Sequence, residues 1–128
     1  SRIPTLKDTK LRKKTSDSGF VAHMGKSAAD NIKLLRQSQP WDLWVHLRDY
    51  PSSHAIIHRN KNQNIPQKDI EEVAEWLASA SLGQKQILAG QRIDAMFAEC
   101  RHVKPIKGDK LGRVHYQNEK TLTIRLQK

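Results

Sequence analysis

Cysteine occurs once in this 128-residue chain, at Cys100, so no disulfide can close within it, and a reducing compartment is the default expectation. Apolar runs stay far short of the roughly 18 residues that would span a bilayer. No signal-peptide pattern opens the sequence. Together these absences predict a cytoplasmic chain with no membrane partner. Aromatic residues are few, with three Trp, two Tyr and two Phe, so the position of each carries information. Acidic residues are scarce at both ends. Residues 1–14 hold six Lys/Arg against Asp8 alone, and residues 101–128 hold eight against Asp109 and Glu119. The stretch between is nearly neutral, with nine basic and ten acidic residues, so the net charge of +10 lies at the ends. Basic ends around a neutral body suit a polyanion, because Lys and Arg gain affinity by releasing counterions from phosphates. The competing readings, a solvated tail or a membrane-surface patch, fit less well, since the cations are interleaved with too few apolar residues for an interfacial helix.

The length predicts one domain with a real core. No internal repeat interrupts it. Residues 1–15 read as a basic arm or an edge strand, and 16–128 as the domain proper. Gly19 to Met24 reads as a strand with Phe20, Ala22 and Met24 on one face. Ser27 is a candidate N-cap for a helix running to about Ser38, with Ala28, Ile32 and Leu35 as its apolar stripe. A strand at 43–48, a turn at Asp49-Tyr50-Pro51-Ser52 and a returning strand from His54 to Arg59 follow. Asn64 is a candidate cap for a second helix, with Pro66 near its first position and Ile70, Val73, Ala74, Leu77 and Ala78 as a buried stripe. Ile93 to Cys100 reads as a strand. Val114 to Tyr116 and Leu122 to Leu126 read as a hairpin around Asn118-Glu119-Lys120. Strands on either side of two helices predict an α+β fold, mostly antiparallel.

The alternation at 43–48 is the strongest local pattern. Leu43, Val45 and Leu47 fall on one strand face. Trp44, His46 and Arg48 share the other, where an aromatic plane, an imidazole and a guanidinium suit bases and phosphates. The bland alternative buries Trp44 under a helix. Gly25-Lys26-Ser27 resembles the end of a phosphate-binding loop, but the glycine required five residues earlier is Phe20, so nucleotide hydrolysis is rejected. What survives is a helix N-terminus beside Lys26 that could hold one phosphate. His46, His54 and His58 could be imagined around a metal, yet no Cys or carboxylate sits at a supporting spacing. A Ser53/His54/Asp42 hydrolytic set lacks an oxyanion-hole signature. Acid–base cleavage or modification of RNA by His46 and His54 stays open as a rival. Cys100 reads as a small buried residue, and Trp76 as core.

Four ordered segments carry a family resemblance: Ser16-Asp17-Ser18-Gly19-Phe20, Gly25-Lys26-Ser27-Ala28-Ala29-Asp30-Asn31, Asp42-Leu43-Trp44-Val45-His46 and Pro51-Ser52-Ser53-His54. In order and spacing they resemble the NFACT RNA-binding (NFACT-R) domain, closely over 16–59 and more weakly to the final strands. The resemblance implies an α+β RNA-binding module, and the chain is expected to have no catalytic activity and no cofactor. In that family it forms part of larger ribosome quality-control factors that engage the large ribosomal subunit and tRNA. The chain is similar to a stand-alone member or to an excised domain. A protein-interaction adaptor on the ribosome is a third reading. Ser27 stands where Asn is common, and Val45 where an aromatic is common. Ser52 stands where Gly usually precedes Ser-His, which questions whether that turn keeps a glycine-only backbone.

The resemblance and the residue reading together nominate Lys26, Ser27, Asn31 and Arg36 as RNA contacts. Trp44, His46, Arg48, Ser53, His54 and Arg59 complete the set, with Asp42 orienting a neighbour. Lys10, Arg12, Lys13, Lys14, Lys104 and Lys107 are expected to contact phosphate without sequence preference.

Overall fold

The computed structural model describes residues 11–82 and 90–126. Its chain order is β1 (Arg12–Thr15), β2 (Val21–Met24), α1 (Ala28–Gln37), β3 (Leu43–Leu47), β4 (Ala55–Ile57), α2 (Gln67–Ser81), β5 (Arg92–Glu99), a 3₁₀ turn (Cys100–His102), β6 (Val103–Pro105), β7 (Val114–Tyr116) and β8 (Lys120–Arg125). Six strands form one sheet in the order β1-β2-β4-β3-β5-β8, antiparallel throughout, and β6 pairs β7 in a separate ribbon. The fold is α+β, with two α-helices among the described residues.

The alternation along each strand decides what covers each sheet face. Ala22, Met24, Leu43, Val45, Leu47 and Ile57 share one face with Ile93 and Ala95 and pack against the α2 stripe of Ile70, Val73, Ala74, Leu77 and Ala78. That stripe is the one the spacing predicts. Trp76 is half-buried against the same core. The opposite face is a second core, not an open surface: Trp44, Ile56, Met96 and Ala98 pack with Leu34, Leu35, Cys100 and Val103. It is covered by α1 and the β6–β7 ribbon, which brings Val114 onto it.

Several local expectations shift. The buried stripe of α1 is Asn31, Leu34 and Leu35, with Ile32 only half-buried. Asn64 does not cap α2; Pro66 occupies the cap position without a side-chain bond. Residues 114–116 and 122–126 do not form a hairpin, because β7 takes β6 as partner while β8 extends the main sheet beside β5. Alternation within each segment fits either pairing, and only the long-range contacts choose. Cys100 opens the 3₁₀ turn and does not end the strand. It is buried, and burial pushes its thiol pKa up to about 12, as befits a packing residue. Residues 12–15 are an edge strand, one of the two readings of the basic start.

The Ser16-Asp17-Ser18 motif has a structural task. Asp69, fully buried in the first turn of α2, accepts from Ser16 Oγ at 2.6 Å, Ser18 N at 2.9 Å and Ser18 Oγ at 2.9 Å. Burial alone would raise its pKa, but these hydrogen bonds leave it below the ordinary value.

Candidate nucleic-acid interface

Two of the sequence motifs meet where α1 begins. Ser27 caps the helix, its Oγ accepting from Asp30 N at 3.1 Å, while the Asp30 carboxylate accepts from Lys26 N at 3.3 Å. This reciprocal cap occupies the first turn with a carboxylate, which disfavours an anion there. Lys26 and Ser27 are exposed. Asn31 is buried, and its Oδ1 accepts from His54 N at 3.1 Å, while Gly25 N donates to His54 O at 3.1 Å. The glycine is required by close approach: a Cβ on Gly25 would overlap Asn31 Oδ1 and lie 2.9 Å from Asn31 N. Gly25→Ala is therefore expected to destabilise the domain by about 1–3 kcal/mol, read as a lower denaturant midpoint. An unchanged midpoint would mean this junction yields without cost.

Beyond this junction lies a cavity of about 560 Å³ between the α1 face of the sheet and the 106–116 segment. Trp44 forms its inner wall with no solvent exposure. Its ring is stacked on His46 (5.6 Å, 18°), meets His54 edge-on (5.6 Å, 89°) and lies at 30° to Tyr116 (5.4 Å). His46 and His54 pack edge-on at 4.8 Å. Strand register builds the cluster: Trp44 sits opposite Ile56 and Ala98, and His46 opposite Met96. Trp44 is thus not the exposed stacking platform that alternation suggests, because both the ribbon and α1 close over its face. Arg48 is exposed, with Nη1 donating to Thr121 Oγ1 at 3.2 Å.

Trp44 Nε1, His46 Nδ1 and His54 Nδ1 are buried without a hydrogen-bond partner in the protein. Burial lowers the pKa of His46, opposed by a backbone hydrogen bond at Ser52. Burial, with repulsion from His46, lowers His54 to about 3. Both imidazoles are neutral at pH 7.

Sequence reasoning missed Tyr116, Leu111 and Met96 in this wall. The 106–113 loop that carries Leu111 is folded by Asp109, whose carboxylate accepts from Leu111 N, Arg113 N and the Arg113 guanidinium. Gly112, at φ +69°, rests on Ala28, so near that a Cβ would stand 2.9 Å from the Ala28 Cβ. The weaker resemblance that runs on to the final strands was the available signal. What it could not reveal is that β7 pairs with β6 and so swings Tyr116 over Trp44.

The remaining candidates scatter. Ser53 is half-buried in a shallower groove with Ser27 and Asn31. Ser52 Oγ accepts from Leu47 N and donates to Ser53 O. Among the described non-glycine residues only Asn62 and Asn118 have positive φ, so Ser52 needs no glycine-only backbone. Arg36 is exposed on α1. Arg59 lies at a different cavity, its guanidinium donating to Trp41 O, Gln63 O and Glu99 Oε2. Arg12, Lys13, Lys104 and Lys107 are exposed, and Lys14 pairs with Glu72 at 3.3 Å. Lys10 lies outside the described residues.

Asp42 bonds internal partners away from the Trp44 cavity. Fully buried, it accepts from the backbone N of Gln39 and Arg59 and meets His58 Nδ1 at 3.2 Å, while His58 Nε2 meets His23 Nδ1 at 2.8 Å. A proton on His58 Nδ1 satisfies Asp42 and leaves Nε2 to accept from His23. This set takes His58 away from His46 and His54, so neither the three-histidine grouping nor Ser53/His54/Asp42 is assembled. Burial, then repulsion from His58 and Lys13, lowers His23 to about 4.

His23 and His54 both have folded pKa values below the 6.5 of the unfolded chain, so between those values the unfolded chain binds more protons. Their stabilising contribution is complete above pH 6.5 and is lost as pH falls toward 4 and 3. Denaturant midpoints should fall below pH 6.5, each histidine adding a slope of up to about 1.4 kcal/mol per pH unit. A midpoint constant from pH 7 to 5 would contradict these neutral, buried imidazoles.

No helix among the described residues is long and apolar enough to cross a membrane. The chain is similar to the coiled-coil domain-containing protein 25 homolog of Dictyostelium discoideum, with 26% identity over 111 residues that cover 84% of this chain and 52% of the relative. It is also similar to the Rqc2 homolog RqcH of Bacillus subtilis, with 26% identity over 110 residues, 85% of this chain and 18% of the relative. The chain thus spans about half or less of these relatives. Among solved structures, the C-terminal part of the fibronectin/fibrinogen-binding protein from Streptococcus suis shares the fold, with a TM-score of 0.77 at 22% identity over 99% of this chain and 50% of that one. The sequence profile described as the NFACT protein RNA binding domain matches residues 10–109, a span that holds the α1 cap, Trp44, His46, His54 and the first strand of the ribbon, and on that match this chain belongs to the NFACT RNA-binding domain family.

Proposed function

We propose that the chain is a module that binds structured RNA, tRNA or ribosomal RNA, and catalyses no reaction on it. The observation that carries this reading is the cavity in which Trp44, His46, His54 and Tyr116 meet, within a domain of an RNA-binding family. Exposed Arg12, Lys13, Arg48, Lys104 and Lys107 supply phosphate contacts, and the cavity supplies selectivity. The similarity to Rqc2 homologs supports ribosome-associated quality control as the setting and the large ribosomal subunit as a partner.

His46 and His54 are poorly suited to acid–base chemistry at neutral pH. A group with pKa about 3 holds no proton to donate and is a weak base. Incubated tRNA should therefore keep its length and mass, as read by mass spectrometry. A product that His46→Ala abolishes would establish the enzymatic reading instead. In fluorescence anisotropy at fixed salt, tRNA should bind more tightly than a DNA hairpin of equal length. Equal affinity would reduce the domain to a general polyanion binder.

A further inference from the structure

We propose that the Trp44 cavity receives a single unstacked nucleobase, with Trp44, His46 and His54 reading its polar edge and Tyr116 covering its ring. The inference rests on the RNA-binding reading and adds the chemical class that the cavity selects.

Three ring nitrogens on adjoining side chains of one wall lack partners in the protein. Buried polar atoms are normally paired, so a cluster of three marks where a ligand completes the set. The chemistry of that ligand follows from the donors. Trp44 Nε1 only donates, whereas a neutral imidazole nitrogen donates or accepts according to tautomer. A phosphate or carboxylate only accepts, so it cannot serve an imidazole nitrogen that itself accepts, and the two cations that line the cavity, Arg48 and Arg113, are exposed and already bond Thr121 and Asp109. A base edge presents donors and acceptors side by side. The cavity, at about 560 Å³, is within the range that encloses small ligands and holds one nucleotide, not a helix.

The ring-stacking surface is Tyr116, not Trp44. Trp44 already has His46 on it and no exposure, while Tyr116 is 40% exposed at the mouth. Leu111, 70% exposed, stands at the same mouth and can shield an inserted ring. Arg48 and Arg113 line the rim, where the attached phosphate would fall. Proteins that read single-stranded or bulged RNA hold splayed bases in this way, by aromatic stacking and edge hydrogen bonds.

The test uses one RNA hairpin made five ways: with a bulged A, C, G or U, and with an abasic residue at the bulge. At least one bulged base should bind about tenfold tighter than the abasic form. Tyr116→Ala should remove that difference, so that the preferred bulged hairpin and the abasic one bind alike. In ¹⁵N–¹H spectra the Trp44 indole N–H should shift with the preferred hairpin and not with the abasic one. The Trp41 indole, which already donates to Arg59 O at 3.0 Å, should stay in place. If all five hairpins bind alike and the Trp44 resonance stays fixed, the nucleobase site is wrong while RNA binding stands. If no hairpin binds at low salt, both readings fall.

Discussion

Trp44→Ala is expected to lower the stability of the domain by about 3–5 kcal/mol, the range for truncating a large buried aromatic. That is a large share of the roughly 5–15 kcal/mol that holds a domain together. Trp44 has no exposure and packs in a core with Leu34, Ile56 and Met96 while touching His46, His54 and Tyr116. The void left behind would undo both the sheet face and the cavity. The melting temperature should fall by roughly 10–20 °C. Trp44→Phe separates packing from polarity. It keeps an aromatic ring and removes an indole N–H that bonds nothing in the protein, so it should cost clearly less than Trp44→Ala. If Trp44→Ala left the melting temperature unchanged and weakened only selected RNAs, Trp44 would be an exposed platform after all.

The second large effect is the response to salt. With +10 net charge placed at the chain ends, binding to structured RNA should be dominated by released counterions. Six to ten phosphate contacts would lower affinity about 10³–10⁵-fold between 50 and 200 mM monovalent salt. A plot of log affinity against log salt should be linear and steep, and a flat response would rule out binding dominated by counterion release. The structure also fixes how the basic start should be tested. Arg12–Thr15 pair with Val21–Met24, so a deletion through residue 14 strips an edge strand along with its charges. Deletion of residues 1–10 removes Arg2, Lys7 and Lys10 against Asp8 and leaves β1 in place. It should weaken every RNA by a similar factor.

The elements that sequence alone revealed are those fixed by local pattern. Ser27 caps α1, the Ile70 to Ala78 stripe packs on the sheet, and Leu43, Val45 and Leu47 share a face. What local pattern could not reveal was pairing between distant segments. The run from Val114 to Tyr116 alternates as well in a hairpin with β8 as in a ribbon with β6, and only the second places Tyr116 on the cavity. The same limit applies to Trp44. An aromatic on the polar side of an alternating strand looks exposed until α1 and the ribbon cover it. Asn31 and Asp42 were selected for their place in motifs, and both bond internal partners: the backbone of His54, and the backbone of Gln39 and Arg59 with His58. Motif membership identifies residues the domain needs without separating those that build a wall from those that touch a ligand. The His23–His58–Asp42 chain was legible only in part, since alternation puts His23 opposite Ala22 and Met24 without saying which histidine it meets.

In the proposed division of labour, exposed cations give affinity and the aromatic cavity gives selectivity. The most direct test compares Lys104→Gln/Lys107→Gln with Tyr116→Ala across a panel of structured RNAs at several salt concentrations. The charge variant should weaken all RNAs by one factor and reduce the salt slope by about one for each phosphate it no longer neutralises. The Tyr116 variant should reorder the RNAs and leave the slope unchanged. Two variants that weaken the panel in the same pattern, with the same change of slope, would contradict the division.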